Sequence, residues 1–359
     1  MDSDLDIARA TEPMNIEEVA KQLGLASSDL IFHGPHIAKV SWRALSSGLV
    51  NKKGKLILVT SVNPTPYGEG KTVTTIGLNQ GLNHRGHNAC CVIREPSLGP
   101  VFGITGGAAG GGYSQVIPME QINLHFTGDL HAITSAHNLC SAILDNHLNR
   151  GNELGIDTNR IFWPRVIDMN DRTLRQVSIG LGGPATGVTR SERFDITAAS
   201  EVMAILSLSK SYEDLRERLG RIIVAESNSG TPVTAEDIGA AGSMALLLRE
   251  AMLPNLVQTL EGNPAFVHCG PFANIAHGNS SIIADELALS RSDYVVTEAG
   301  FGAEMGAEKA LHIKALASGI SPSCIVLNVT VRSMKLHGGG VAGGGGSRPT
   351  KEEIETENV

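Results

Sequence analysis

The chain has 359 residues, enough for one large domain or two ordinary ones, and its 42% hydrophobic and 18% charged residues give the balance of a folded protein. A formal net charge of −8 argues against nucleic-acid binding driven by basic patches, but not against a small phosphorylated ligand held by a few local donors. Aromatic residues make up only 4% while glycine reaches 41 residues, so binding surfaces are expected to be built from backbone and loops.

The first fourteen residues, MDSDLDIARATEPM, are acidic where a secretory leader is basic and then apolar. No uninterrupted apolar run approaches the roughly 20 residues of a membrane helix. Five cysteines (Cys90, Cys91, Cys140, Cys269 and Cys324) are odd in number and without paired metal spacing. Cys90 and Cys91 lie in an apolar run and read as buried free thiols. Reduced thiols and the acidic start give the expectation of a cytoplasmic protein with no membrane partner.

Short β-branched runs then alternate with helical patterns. The strand candidates are Lys55–Val62, Asn88–Glu95, Arg165–Met169, Arg221–Glu226, Ala265–Cys269, Asp293–Gly300 and Cys324–Val331. Between them lie helical candidates at Thr72–Asn83, Ala132–Asn149, Ile196–Ser209, Ala235–Met252, Ser280–Ser290 and Ala303–Ser318. Continuous apolar strands separated by helices predict an α/β fold of the P-loop nucleotide-binding type, its sheet mostly parallel, doubly wound and covered by helices on both faces. Residues 1–336 read as one large nucleotide-binding and catalytic domain. From His337 the sequence loses periodicity, runs through glycines and ends in charge, so 337–359 reads as a linker or tail. The other glycine-rich stretch, Gly99–Val116, reads as a functional loop.

Asn63–Gly77, NPTPYGEGKTVTTIG, follows the first strong strand candidate and ends in Gly70-Lys71-Thr72. Strand, glycine turn, lysine, hydroxyl residue and helix is the order that presents backbone N–H groups and a helix N-terminus to phosphate. Lys71 would reach the terminal phosphates and Thr72 the magnesium ion. Thr65 stands where the usual spacing has its first glycine, while Pro64 and Pro66 stiffen the approach and Gly68 and Gly70 keep the turn permissive.

Arg94 and Glu95 close a strand at its carboxyl end, where open α/β sheets bind ligands. There an arginine can clamp a carboxylate or acyl phosphate, and a glutamate can orient an amine or accept its proton. His125, Asp129, His131 and His137 bring a carboxylate and imidazoles together in sequence, although Gly128 interrupts a regular helical spacing. Phe301, between two glycines, is either a plug in the core or a face for a planar ligand.

Together these stretches closely resemble formate–tetrahydrofolate ligase, the 10-formyltetrahydrofolate synthetase family. TPYGEGKT looks like the family's ATP signature, in which Thr65 is the expected residue. The stretch Arg94–Thr134 looks like its second signature. RVIDMNDRTLR, FDITAASEVMAIL, LVQTLEGNPAFVH, GPFANIAHGNSS and TEAGFGAEMGAEK also match, so the resemblance runs from about Asn15 to about Gly339. It implies that formate, ATP with Mg2+ and tetrahydrofolate give 10-formyltetrahydrofolate, ADP and phosphate through formyl phosphate.

On that resemblance, ATP is held by Thr65, Pro66, Tyr67, Gly68, Glu69, Gly70, Lys71 and Thr72, with Thr72 on the nucleotide's metal. Lys71, Arg94, Glu95, His125 and Asp129 are the candidate catalytic residues, and Glu95 and Phe301 the candidate folate contacts. An activating monovalent cation and a homo-oligomer are further implications. Two departures stand out. Thr105 occupies a position where the family usually has lysine, and family members continue well beyond the end of this chain. The alternatives are a family member impaired by its length that still binds ATP, and a different P-loop ATPase.

Overall fold

A computed structural model describes residues 3–48, 54–103, 109–338, 350 and 352. Thr105 and most of the stretch 337–359 lie outside the described residues.

One sheet dominates. In chain order its main strands are β1 (Leu30–Phe32), β2 (Ala38–Val40), β3 (Lys55–Ser61), β4 (Ala89–Ile93), β5 (Ser114–Ile117), β6 (Asn255–Thr259), β7 (Pro264–Val267), β8 (Tyr294–Glu298) and β9 (Cys324–Asn328). Their spatial order is β1-β2-β6-β7-β4-β8-β3-β9, with β5 branching from β6. The five strands β7, β4, β8, β3 and β9 are mutually parallel, whereas β1, β2, β5 and β6 form an antiparallel flank. The parallel half therefore points all its carboxyl ends the same way, and the candidate ligand groups sit there.

Apolar side chains leave the sheet alternately, as the pleat requires. In β4, Cys90 and Val92 enter a large core with Ile133, Ile283 and Leu287, while Cys91 and Ile93 enter a second core with Ile76, Val59 and Val296. Helices that supply these cores include α1 (Ile16–Gln22), α2 (Lys71–His84), α3 (Asp129–Asn149) and α4 (Ile282–Arg291). Strands buried on both faces explain why β3, β4 and β8 are continuous apolar runs. Cys90 and Cys91 are fully buried free thiols, as their apolar setting predicts, and burial pushes the Cys91 thiol up to about 12. Strand β9 is an edge on which Ile325 and Leu327 remain about half exposed.

Several predicted elements move. The strand expected over Arg165–Met169 is only Arg165–Ile167 and pairs with Phe194–Ile196 in a separate two-stranded sheet. Ile223–Ser227 belongs to a small antiparallel sheet with Ile156–Ile161 and Pro232–Thr234. The helix expected from Ile196 begins at Glu201, because the Ser200 side chain accepts from the Met203 N–H and caps it there. The helix expected over Ala235–Met252 shortens to Ala241–Leu247 behind a left-handed Gly239. Over Ala303–Ser318 the backbone runs through wide π-type turns at Ala303–Ala307 and Ala310–Lys314 before a single α turn. The helix expected from Ala132 starts earlier, at Asp129. No described helix is long and apolar enough to cross a membrane.

Candidate active site

The loop between β3 and α2 is held from within. Glu69 is buried, its Oε1 accepts from the Thr65 N–H at 2.7 Å, and its Oε2 accepts from the Thr330 hydroxyl. The Thr65 hydroxyl accepts from the Tyr67 N–H at 3.3 Å, and the Thr65 carbonyl from the Gly68 N–H at 3.1 Å. Thr65 is thus a turn-forming residue here, tied down where a glycine would be loose. Gly68 and Gly70 both have positive φ, 75° and 70°, and Gly70 is the N-cap of α2. An L side chain is strained in that conformation, which accounts for glycine at both places.

Lys71 opens α2 and its ammonium donates to the Ser61 hydroxyl at 3.3 Å, back at the end of β3. Burial lowers the Lys71 pKa; Glu298 opposes that shift and Arg94 adds to it. The Thr72 hydroxyl donates to Glu298 Oε2 at 2.7 Å, across to the end of β8. Glu298 is 1% exposed, and its other oxygen lies 3.7 Å from Arg94 Nε, beyond hydrogen-bond length. Residues from β3, β8 and the end of β4 therefore converge on one spot above three adjacent parallel strands.

Glu95 is buried beside this spot. Burial, reinforced by the negative charge of Asp129, pushes its carboxyl well above the usual carboxylate range. Its Oε2 has no hydrogen-bond partner. Asp129, in contrast, is fully committed: Lys39 Nζ lies 2.8–2.9 Å from its oxygens and the Asn255 amide donates to it at 2.8 Å. Lys39 is itself 1% exposed and also donates to the Leu253 carbonyl. Two neighbouring carboxyls thus have different surroundings: Asp129 is paired with the buried Lys39, whereas Glu95 has no such partner and burial raises it.

The histidines do not gather. His125 and His131 are exposed, whereas His137 is buried, donates to the Pro164 carbonyl through Nε2 and stacks on Trp163 with ring centroids 4.0 Å apart. A carbonyl can only accept, so Nε2 carries the proton. Burial lowers the His137 pKa to about 4, the mark of a core histidine. Among the described residues no group of three or more His, Cys, Asp or Glu side chains is arranged to hold a metal ion.

Phe301 has φ 58° and is 42% exposed, so it is a presented face and not a core plug. Its carbonyl accepts from Ser61, the same hydroxyl that Lys71 touches. The loop is fixed by close approach further on: a Cβ on Gly306 would lie 1.7 Å from the Gly300 carbonyl oxygen. A surface cavity of about 560 Å³ lined by Trp42, Leu45, Tyr212 and Ile283, among others, contains none of these residues, so it and the polar convergence do not coincide.

Sequence reasoning picked out Lys71, Thr72, Arg94, Glu95 and Phe301, and the structure gathers them around the carboxyl ends of β3, β4 and β8. It missed Ser61, Glu298, Lys39 and Asn255. The available signal for Glu298 was a lone acid closing an apolar strand, next to the strand that feeds the loop. Lys39 and Asn255 reach Asp129 from 90 and 126 residues away, and no local pattern carries that.

Fold and site together define an α/β protein that gathers a lysine, an arginine and acidic side chains at the ends of its parallel strands. The profile of the family described as Formate--tetrahydrofolate ligase matches residues 2–359, and the chain belongs to that family. It is 57% identical over 357 residues to a formate–tetrahydrofolate ligase of Mesorhizobium japonicum, covering 99% of this chain and 62% of that protein. Similar relatives of the same name occur in Ruegeria sp. (strain TM1040), at 59% identity with 99% and 62% covered, and in Saccharopolyspora erythraea, at 55% with 99% and 63% covered. The chain thus spans a little over three-fifths of the length of these relatives.

Proposed function

We propose that this chain carries the nucleotide and formyl-transfer half-sites of an ATP-dependent formate–tetrahydrofolate ligase, built on a P-loop type of α/β fold. The observation that supports this most is the convergence of Lys71, Thr72, Arg94 and Glu298 above β3, β4 and β8, with Glu95 buried alongside. Residues 1–336 act as one catalytic unit in this reading.

Formate is a poor electrophile. One of its oxygens attacks the γ-phosphorus of ATP, the new O–P bond forms, the bond to the bridging oxygen breaks, and ADP leaves. Lys71 and the backbone amides at the start of α2 offset the charge that builds on the phosphoryl oxygens. Arg94 clamps the resulting formyl phosphate through its guanidinium fork. The amine of tetrahydrofolate then attacks the formyl carbon, the C–O bond to phosphate breaks, and inorganic phosphate departs.

The amine must lose a proton in that second step. Glu95 takes that proton: its Oε2 has no hydrogen-bond partner, burial and Asp129 make its anion strongly basic, and it must enter this step ionised, whereas Asp129 is held by Lys39 and Asn255. Asp129 acts by setting the charge around Glu95, and His125, which is exposed, is the remaining candidate for handing the proton to solvent. Phe301 offers its ring to the planar pterin.

Thr72 fits the magnesium ion of the nucleotide, since its hydroxyl proton is committed elsewhere and its lone pairs remain to be shared. The ion, when bound, neutralises phosphate charge. An activating monovalent cation, a homo-oligomeric assembly and a cytoplasmic location belong to the same reading. A different P-loop ATPase would leave Arg94 and Glu95 without a role.

The test mixes the chain with formate, Mg-ATP and tetrahydrofolate, then acidifies and reads the methenyl absorbance. Formate-dependent signal supports the reading. Absence of signal beside an active full-length relative restricts this chain to nucleotide binding and sets aside its autonomous ligase activity.

A further inference from the structure

Glu298 is among the most buried acids of the molecule and nothing in the reaction above uses it. Its Oε2 accepts the Thr72 hydroxyl proton at 2.7 Å. Its Oε1 is buried without a hydrogen-bond partner, and so is Arg94 Nε, 3.7 Å away. A carboxylate is expensive to bury with an oxygen unpaired, and its nearest cation is too far to form a bond with that oxygen. Such a vacant acceptor beside a phosphate loop is what a bound cation or its water would satisfy.

The direction of the Thr72 bond carries the rest. A hydroxyl has one proton and two lone pairs. By taking the proton, Glu298 fixes the Thr72 oxygen as a pure electron-pair donor, the state a divalent cation needs. The acid also comes from β8 while Thr72 comes from the helix after β3, so the contact ties the loop to its neighbouring parallel strand.

We propose that Glu298 is the positioning residue for the divalent cation of the bound nucleotide: it polarises Thr72 toward the cation and reserves its second oxygen for the cation's hydration shell. This rests on the reading of Thr65–Thr72 as the ATP loop. In the free protein Arg94 Nε, 3.7 Å away, and the charge of Lys71 are the counter-charges near Glu298 among the described residues; a bound cation would share this duty and leave Arg94 and Lys71 to the phosphoryl and formyl groups.

The experiment is calorimetric titration of ATP into the chain with Mg2+ and with EDTA, for wild type and Glu298→Gln. Wild type should bind Mg-ATP more than about tenfold tighter than metal-free ATP, in keeping with bonds to charged groups. Glu298→Gln should bind Mg-ATP about tenfold more weakly, yet bind metal-free ATP as tightly or more tightly, because a negative charge has left the phosphate site. A merely structural role would weaken both arms alike, and that result, or an unchanged Mg2+ dependence, overturns the proposal. Wild type that binds no ATP in either arm overturns the loop reading itself, and this proposal with it. Should Glu298→Gln not melt cooperatively, Glu298→Asp, with the charge drawn back by one methylene, reads the same ratio.

Discussion

Replacing Lys39 by Met removes a buried ammonium and leaves its surroundings nearly unchanged in volume. Asp129 would then be 3% exposed with only the Asn255 amide for support, next to Glu95. Breaking one side of a buried ion pair costs about 3–5 kcal/mol. An independent bound comes from titration: a carboxyl with a reference value near 3.9 that must take up a proton at pH 7 costs about 4 kcal/mol. The two agree, so Lys39→Met should lose about 4 kcal/mol of unfolding free energy at pH 7.

The sign of the pH dependence follows. In the variant the folded-state pKa of Asp129 lies above its unfolded value, so the folded form holds the extra proton, and stability falls as pH rises from about 4 toward that raised value. The deficit against wild type should therefore shrink by about 2–3 kcal/mol between pH 7 and pH 5. Urea melts at both pH values measure it, and Lys39→Met with Asp129→Asn should recover more than half of the loss. A deficit below about 1 kcal/mol at pH 7, or one that does not move with pH, would mean that Lys39 is not the charge that holds Asp129 in place.

Other outcomes follow from the same geometry. Gly306→Ala places a methyl carbon against the Gly300 carbonyl and should cost about 1–3 kcal/mol or more in a chemical melt, lowering nucleotide affinity through displacement of the Phe301 loop. Phe301→Ala should leave Mg-ATP titration unchanged and abolish whatever tetrahydrofolate binding the chain has, read by fluorescence. His137 and His268, both lowered to about 4 by burial, stay neutral in the folded chain while the unfolded chain protonates them near 6.5. Folded pKa lies below unfolded pKa, so their contribution is complete above about pH 6.5 and is lost as pH falls toward 4. Calorimetric unfolding at pH 5 should take up about one proton fewer in His137→Gln than in wild type.

The parallel half of the sheet was legible because strands buried on both faces leave continuous apolar runs, as in β3, β4 and β8. The antiparallel flank was not. β1 and β2 are three residues each, and β6 lies inside a longer stretch whose buried Asn255, Gln258 and Thr259 conceal its apolar character. At the site, Gly70, Lys71 and Thr72 were legible because a phosphate loop is a local object, closed within ten residues. Asp129 was found by type but not by duty, since its partner Lys39 comes from β2, 90 residues earlier. His137 looked chemical in sequence only because Trp163, which shelters it, lies 26 residues further on.

Titration of Mg-ATP into wild type and Lys71→Ala asks directly whether the loop from Thr65 to Thr72 holds ATP. One saturable site per chain in wild type, weakened at least about tenfold in Lys71→Ala with both proteins melting alike, is the predicted result. Equal binding by the two proteins, or no binding by the folded wild type, would contradict it.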